Sequence, residues 1–169
     1  MTEKYSKKFE RAFSYVLQNE GVYVNDPTDT GGETKYGISK RSYPNLDIKN
    51  LNLEEAKKIY FCDYWLKGKF EQSSDENIAI QLFDLSVNLG TKAMTIILQR
   101  ALRSVGINVI EDGLFGSQTL SGLNNANPKV LLPAIKSEAA GYYRLIAAKN
   151  PQQQKFLKGW LNRTYKQIN

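Results

Sequence analysis

From about residue 75 to its end, this chain repeats its apolar residues every three or four positions. Ile78, Leu82, Leu85 and Leu89 form one stripe, and Met94, Ile97, Leu98, Ala101 and Leu102 form the next, with Gly90 between them. That is the period of amphipathic helices, so the spacing predicts a mainly α protein. Asn127 before Pro128 marks a further helix start, and Pro133 either kinks that helix or begins a second one. Phe156, Trp160 and Leu161 give a terminal amphipathic turn.

The amino-terminal part breaks this pattern once. Phe9, Ala12, Phe13, Val16 and Leu17 make one buried helical stripe, and Gly21 supplies its stop. The stretch from Gly21 to Ile38 holds four glycines, Gly21 included, with Pro27 and many Asn, Asp and Thr residues, interleaved with Val22, Tyr23, Val24 and Tyr36, which reads as a small twisted β-hairpin. Asn52 followed by Glu55 is a capping box, and the helix it opens should reach Tyr64 or Trp65. No repeat or linker interrupts the 169 residues, so one domain is expected, with a core over about 1–90 and a helical lobe over about 91–169.

Composition narrows the chemistry. The chain has no histidine, which removes Ser-His-Asp and Cys-His triads, the HExxH zinc site and any histidine base. Acid and base work must fall to carboxylates. The single cysteine, Cys62, excludes an internal disulfide and a cysteine-rich metal cluster, and is expected as a packed thiol in a protein made in a reducing cytosol. No apolar run exceeds four residues, so neither a membrane span nor a signal-peptide core is expected. The 23 Lys and Arg against 17 Asp and Glu give a net charge of +6, which favours an anionic partner. No dense basic cluster points to nucleic acid.

Glu20 closes the first helix, Asp29 follows in the hairpin, and Thr34 comes five residues later. Glycoside hydrolysis asks for such a set: one carboxylic acid protonates the leaving oxygen while an ionised carboxylate activates water or attacks the sugar. A Glu packed at a helix end tends toward a raised pKa by desolvation, whereas an Asp on a polar hairpin tends to stay ionised. From spacing alone, a solvated helix-end Glu and a turn-forming Asp are the competing reading.

The stretch from Asn19 through Glu20-Gly21-Val22-Tyr23, Asp26-Pro27-Thr28-Asp29, Gly31-Gly32 and Thr34-Lys35-Tyr36-Gly37 to Ile38 closely resembles the signature of glycoside hydrolase family 108. The resemblance continues through Leu53 to Tyr60, Asp63-Tyr64-Trp65 and Leu82 to Gly90. Asp112-Gly113-Leu114-Phe115-Gly116-Ser117-Gln118-Thr119 looks like a turn of helical peptidoglycan-binding modules, and Phe156 to Arg163 is similar to the family's ending. Val22 departs from the glycine usual at its place, which bears on any turn there that needs positive φ.

The resemblance implies a lysozyme-like fold and the N-acetylmuramidase activity of phage-type endolysins. It matches Glu20 to the general acid, Asp29 to the second carboxylate, with Asp26 as its rival, and Thr34 to the hydroxyl that holds water. Gly31, Gly32 and Gly37 suit tight turns near a sugar, and Glu33 suits a surface charge. Of the aromatic residues Tyr23, Tyr36, Tyr64 and Trp65, Tyr36 is the best placed to offer a sugar a flat face. Asp84 and Asn88, four apart on an otherwise apolar helix face, either bind substrate amides or brace the helix. The Asp112–Thr119 turn shapes a helix connection, with Ser117 as N-cap, or binds the wall.

The implied substrate and partner is bacterial peptidoglycan, cleaved at the β-1,4 bond between N-acetylmuramic acid and N-acetylglucosamine by a monomer that needs no metal or cofactor. A lytic transglycosylase and a non-catalytic wall-binding protein are the alternatives. The expected site of synthesis is a bacterial host cytoplasm, with action in the periplasm or cell wall, either as a phage lysin or as a secreted effector.

Overall fold

The computed structural model describes residues 5–20, the backbone of residues 23–24, and residues 33–168. Its contacts divide the chain into two compact units that meet at Lys67 and Gly68.

In the first unit, Ser6 opens α1 (Lys7–Asn19) by accepting a hydrogen bond from the Phe9 N–H at 3.1 Å, which satisfies one of the donors a helix start leaves unpaired. The helix buries Phe9, Ala12, Phe13 and Val16, as the spacing predicts, and Tyr15 besides. Phe9 is the hub of an aromatic core: its ring centroid lies 5.2 Å from Tyr5, 5.0 Å from Phe61 and 5.4 Å from Trp65, in tilted or edge-on arrangements. Such geometry sets the electropositive ring edge against a π face.

The capping box of α2 (Leu53–Tyr60) forms in both directions, each hydrogen bond 2.9 Å long. The helical backbone then reaches Trp65, but its last stretch, Phe61–Trp65, widens into a π-helical turn closed by the Leu66 N–H on the Phe61 carbonyl at 2.9 Å. Phe61 and Trp65 take the inward positions of this turn. Cys62 is left exposed, a correction to the packed thiol expected from sequence.

The hairpin region forms an antiparallel sheet of three very short strands in the order β1 (Tyr23–Val24), β2 (Thr34–Lys35), β3 (Ile38–Ser39). Tyr23 pairs with Lys35 and Val24 with Thr34, while Thr34 also pairs with Ser39 and Lys35 with Ile38. Tyr36 and Gly37 alone join β2 to β3, both with positive φ, +51° and +76°. A two-residue primed turn demands this, because only that backbone twist matches the twist of the flanking strands.

Helices are the regular elements of the second unit among its described residues. Asp75 caps α3 (Glu76–Leu89) by accepting from the Ile78 N–H at 2.9 Å, and Gly90 separates α3 from α4 (Thr91–Ser104). After α5 (Ser117–Asn125), Asn127 caps α6 (Pro128–Lys149), which runs unbroken through Pro133. A 3₁₀ turn, Pro151–Phe156, leads into α7 (Leu157–Tyr165). α4 and α6 form the most extensive packing, and α3 packs on both, so α3 lies in the second unit although the sequence suggests a division near residue 90. Two further corrections are local. Gly116, not Ser117, holds the N-cap position of α5, and Phe156 is exposed while Trp160 stacks on Tyr143 with centroids 5.2 Å apart. No described helix is long and apolar enough to cross a membrane.

Candidate active site

Glu20 stands where α1 ends. Its N–H still reaches the Leu17 carbonyl at 3.3 Å, but its backbone is extended (φ −101°, ψ 141°), so the chain leaves the helix at the carboxylate-bearing residue itself. The helix therefore stops at Glu20, and Gly21 lies outside the described residues. The side chain is half-buried.

The hairpin turn fixes that side chain in place. A Cβ on Gly37 would lie 2.8 Å from both Cγ and Oε2 of Glu20 and 2.5 Å from the Tyr60 hydroxyl oxygen. No side chain fits there, and glycine also supplies the positive φ without steric cost. Tyr60, 1% exposed at the end of α2, donates its hydroxyl to the Tyr36 carbonyl at 2.8 Å. Three elements thus converge on one carboxyl: α1 carries it, the β2–β3 turn lies against it, and α2 sends Tyr60 to lock the turn. In the sequence Tyr60 reads only as part of a helix stripe; its hydroxyl partner lies 24 positions upstream, beyond any local signal.

Thr34 sits on β2, half-buried and paired across the sheet with Val24 and Ser39. Tyr36 occupies the first turn position, half-buried, with the Lys35 ammonium 5.6 Å from its ring centre. Asp29, its rival Asp26, and Gly31 and Gly32 lie outside the described residues, as do Val22 and the side chain of Tyr23. Glu33 is half-buried.

Beyond β3 the same unit carries a shallow depression of about 350 Å³ lined by Ser42, Tyr43, Pro44, Asn45 and Leu46. The Tyr43 hydroxyl donates to Asp63 Oδ2 at 2.9 Å, and the Lys67 ammonium donates to Asp63 Oδ1 at 3.0 Å. Burial, reinforced by the bond to Asp63, pushes the Tyr43 phenol well above its ordinary value. Burial by itself would raise the Asp63 carboxyl, but the bonds from Lys67 and Tyr43 together hold it below the usual carboxylate range.

The other two candidate residues belong to the second unit. Asp84 is 2% exposed and receives a forked hydrogen bond from Arg163, Nε to Oδ2 at 3.0 Å and Nη2 to Oδ1 at 2.9 Å. The pairing ties α3 to α7 and engages both carboxylate oxygens. Asn88 is half-buried and donates its amide to the Tyr143 hydroxyl. Burial raises the Tyr143 phenol to about 12.

The Asp112–Thr119 turn is organised by a residue that the sequence did not single out. Gln99, 1% exposed on α4, donates Nε2 to Asp112 Oδ1 at 2.8 Å and to Thr119 Oγ1 at 3.1 Å. Its Oε1 accepts from the N–H groups of Asp112 and Gly113 at 3.1 and 2.9 Å.

Residues 13–90 match the family model described as Glycosyl hydrolase 108, and residues 93–165 match that described as Predicted Peptidoglycan domain. No curated protein matches the chain. The solved structure of Brucella abortus SagA is similar over 92% of this chain and 88% of that one, with a TM-score of 0.75 and 23% sequence identity. At that identity the likeness concerns the fold, which is mainly α and lysozyme-like.

Proposed function

Since residues 13–90 match the glycosyl hydrolase 108 family model and a peptidoglycan domain follows them, we propose that the protein is an N-acetylmuramidase whose general acid is Glu20. That it is a peptidoglycan hydrolase follows from the two matched segments; the bond and the mechanism are the proposal. The bond is the β-1,4 link between N-acetylmuramic acid and N-acetylglucosamine.

The observation that carries the reading is the Glu20 carboxyl, lodged against Gly37 and Tyr60 at the end of a helix. A general acid must sit within hydrogen-bond reach of the leaving oxygen at the moment of bond cleavage, so a carboxyl fixed between a helix end and a rigid turn is worth more than a mobile one. Glu20 delivers its proton to the glycosidic oxygen, Asp29 activates a water on the opposite face of the sugar, and Thr34 orients that water. Tyr36, which precedes Gly37 in the turn, offers its ring to a sugar. The first segment does the chemistry, and the second, from about residue 91, holds the wall. Action at the cell wall, in the manner of phage-type endolysins, follows from this substrate.

Mass spectrometry of peptidoglycan digested by the protein tests the reading. Hydrated reducing-end muramic acid is the expected product. Anhydro-muramic ends would replace hydrolysis by the transglycosylase reaction, in which the sugar's own hydroxyl takes the place of water and Asp29 and Thr34 have no task.

A further inference from the structure

A second feature of the helical unit lies outside the turn that Gln99 organises. The extended segment 107–110 runs beside α5, and between them is a groove of about 230 Å³ lined by Ile107, Asn108, Val109, Gln118, Ser121 and Asn125, with Gly122 at its base. The floor is apolar and close-packed: a Cβ on Gly122 would lie 3.1 Å from Ile107 Cγ2 and 3.2 Å from Val109 Cγ1. The rim is polar without any charge, since Asn108, Gln118, Ser121 and Asn125 are all exposed and all neutral.

The rim amides are already oriented. Gln118 Oε1 accepts from the Ile110 N–H at 3.4 Å, which leaves Nε2, a donor, for a ligand. Asn125 donates Nδ2 to Ser121 Oγ at 3.2 Å, which leaves Oδ1, an acceptor. A donor and an acceptor above a small apolar floor complement one chemical group, a secondary amide with a methyl or methylene beside it. Charged ligands find no counter-ion among the lining residues, so the groove disfavours phosphates and carboxylates.

We propose that this groove is a binding site for the secondary amides of peptidoglycan, with the amide C=O received by Gln118 Nε2, the amide N–H by Asn125 Oδ1, and the adjoining methyl or methylene seated on the apolar floor. The proposal rests on the reading of the chain as a peptidoglycan hydrolase. It adds the place and the chemistry by which the second segment grips its substrate. The amide has two sources in the wall, the N-acetyl groups of the glycan and the backbone of the stem peptide.

Pelleting with purified peptidoglycan sacculi tests it, using the full chain bearing Glu20→Gln so that the wall is not digested. Adding Gln118→Ala and Asn125→Ala should weaken binding about tenfold, the factor expected for two neutral hydrogen bonds. Both side chains are exposed, so the thermal unfolding midpoint should not move. Soluble N-acetylglucosamine oligomers competing for the parent but not for the double variant would assign the acetamido source; stem peptide doing so would assign the peptide source. Unchanged binding by the folded double variant overturns this site and leaves the hydrolase reading standing. A Glu20→Gln parent that fails to bind sacculi, together with a native chain that releases no reducing ends, overturns both.

Discussion

Two glycine-bearing turns in this molecule are each pinned by one buried side chain from a neighbouring helix, and they differ in what the pin leaves over. At Tyr36–Gly37, Tyr60 makes one hydrogen bond to the turn, and the space at Gly37 is filled by the carboxyl of Glu20. At Asp112–Thr119, Gln99 makes bonds from both ends of its amide to the loop's side chains and N–H groups, and the loop's polar groups satisfy one another. The first arrangement holds a titratable group at the edge of a sheet and half-exposed. The second spends its carboxylate on the loop itself: Asp112 accepts from the Leu114 N–H and from Gln99, which keep it below the usual carboxylate range. On the proposed function, similar turn chemistry serves catalysis in one place and loop architecture in the other, and the difference is whether the carboxyl is left to act as a proton donor.

The strongest way to break this contrast is to remove the proton. Glu20→Gln preserves shape but cannot act as an acid, so release of reducing ends from peptidoglycan should fall by about 10²–10⁴-fold with the circular dichroism spectrum unchanged. Activity within threefold of the native chain would move the acid elsewhere. In the same assay Asp29→Asn should lose most activity, Asp26→Asn little, and Thr34→Val an intermediate amount. An inverting hydrolase keeps its second carboxylate roughly 6.5–9.5 Å from the acid with one water between, which is the arrangement those three variants probe.

A smaller effect comes from adding one carbon to each turn. Gly37→Ala must displace the Tyr60 hydroxyl and the Glu20 side chain, at a residue with φ +76°. We expect a stability loss of about 1–3 kcal/mol and an activity loss of about 10²-fold from misplacement of the carboxyl. Gly113→Ala, at φ +72°, meets only the flexible Lys92 Cγ at 3.1 Å and the Ile96 side chain beyond it. It should cost about 1–2 kcal/mol of stability in a thermal melt, by backbone strain, with the turnover of soluble glycan unchanged.

Removing the pins themselves should split the two readouts. Gln99→Ala strands the loop's donors and acceptors and should lower stability by about 2–3 kcal/mol with no change in turnover per folded molecule. Tyr60→Phe removes a single hydroxyl, so the melt should shift by only about 1 kcal/mol while turnover falls severalfold, because the freed turn no longer holds Glu20. Equal turnover for Tyr60→Phe and the native chain would end the claim that the turn positions the acid.

The smallest expected effect is on acid stability. Because the Asp63 carboxyl is held below its unfolded value, its contribution is present above the ordinary carboxylate pKa of about 3.9 and is lost as pH falls through the lower folded value. Asp63→Asn should lower stability slightly at neutral pH, and the difference from the native chain should close as pH falls below about 4, which flattens the acid limb of the stability-versus-pH curve.

Most of the helical framework is legible in the sequence, because helix formation is governed by short-range rules. The stripe from Phe9 to Val16, the Asn52–Glu55 capping box, the break at Gly90 and the Asn127–Pro128 start each depend on residues within about a turn of one another, and each has its counterpart in the structure. Glu20 and Thr34 are likewise picked out by a local motif. What only the tertiary structure decides is what these groups touch. Tyr60 reaches 24 residues back to the hairpin, Gln99 reaches 20 forward to Thr119, and Arg163 reaches 79 back to take the carboxylate of Asp84. A buried polar group must find a partner wherever the fold brings one, and sequence separation places no limit on that search. The exposure of Cys62 has the same origin, since one widened turn after α2 gives the inward positions to Phe61 and Trp65 by packing against Phe9, which no local pattern encodes.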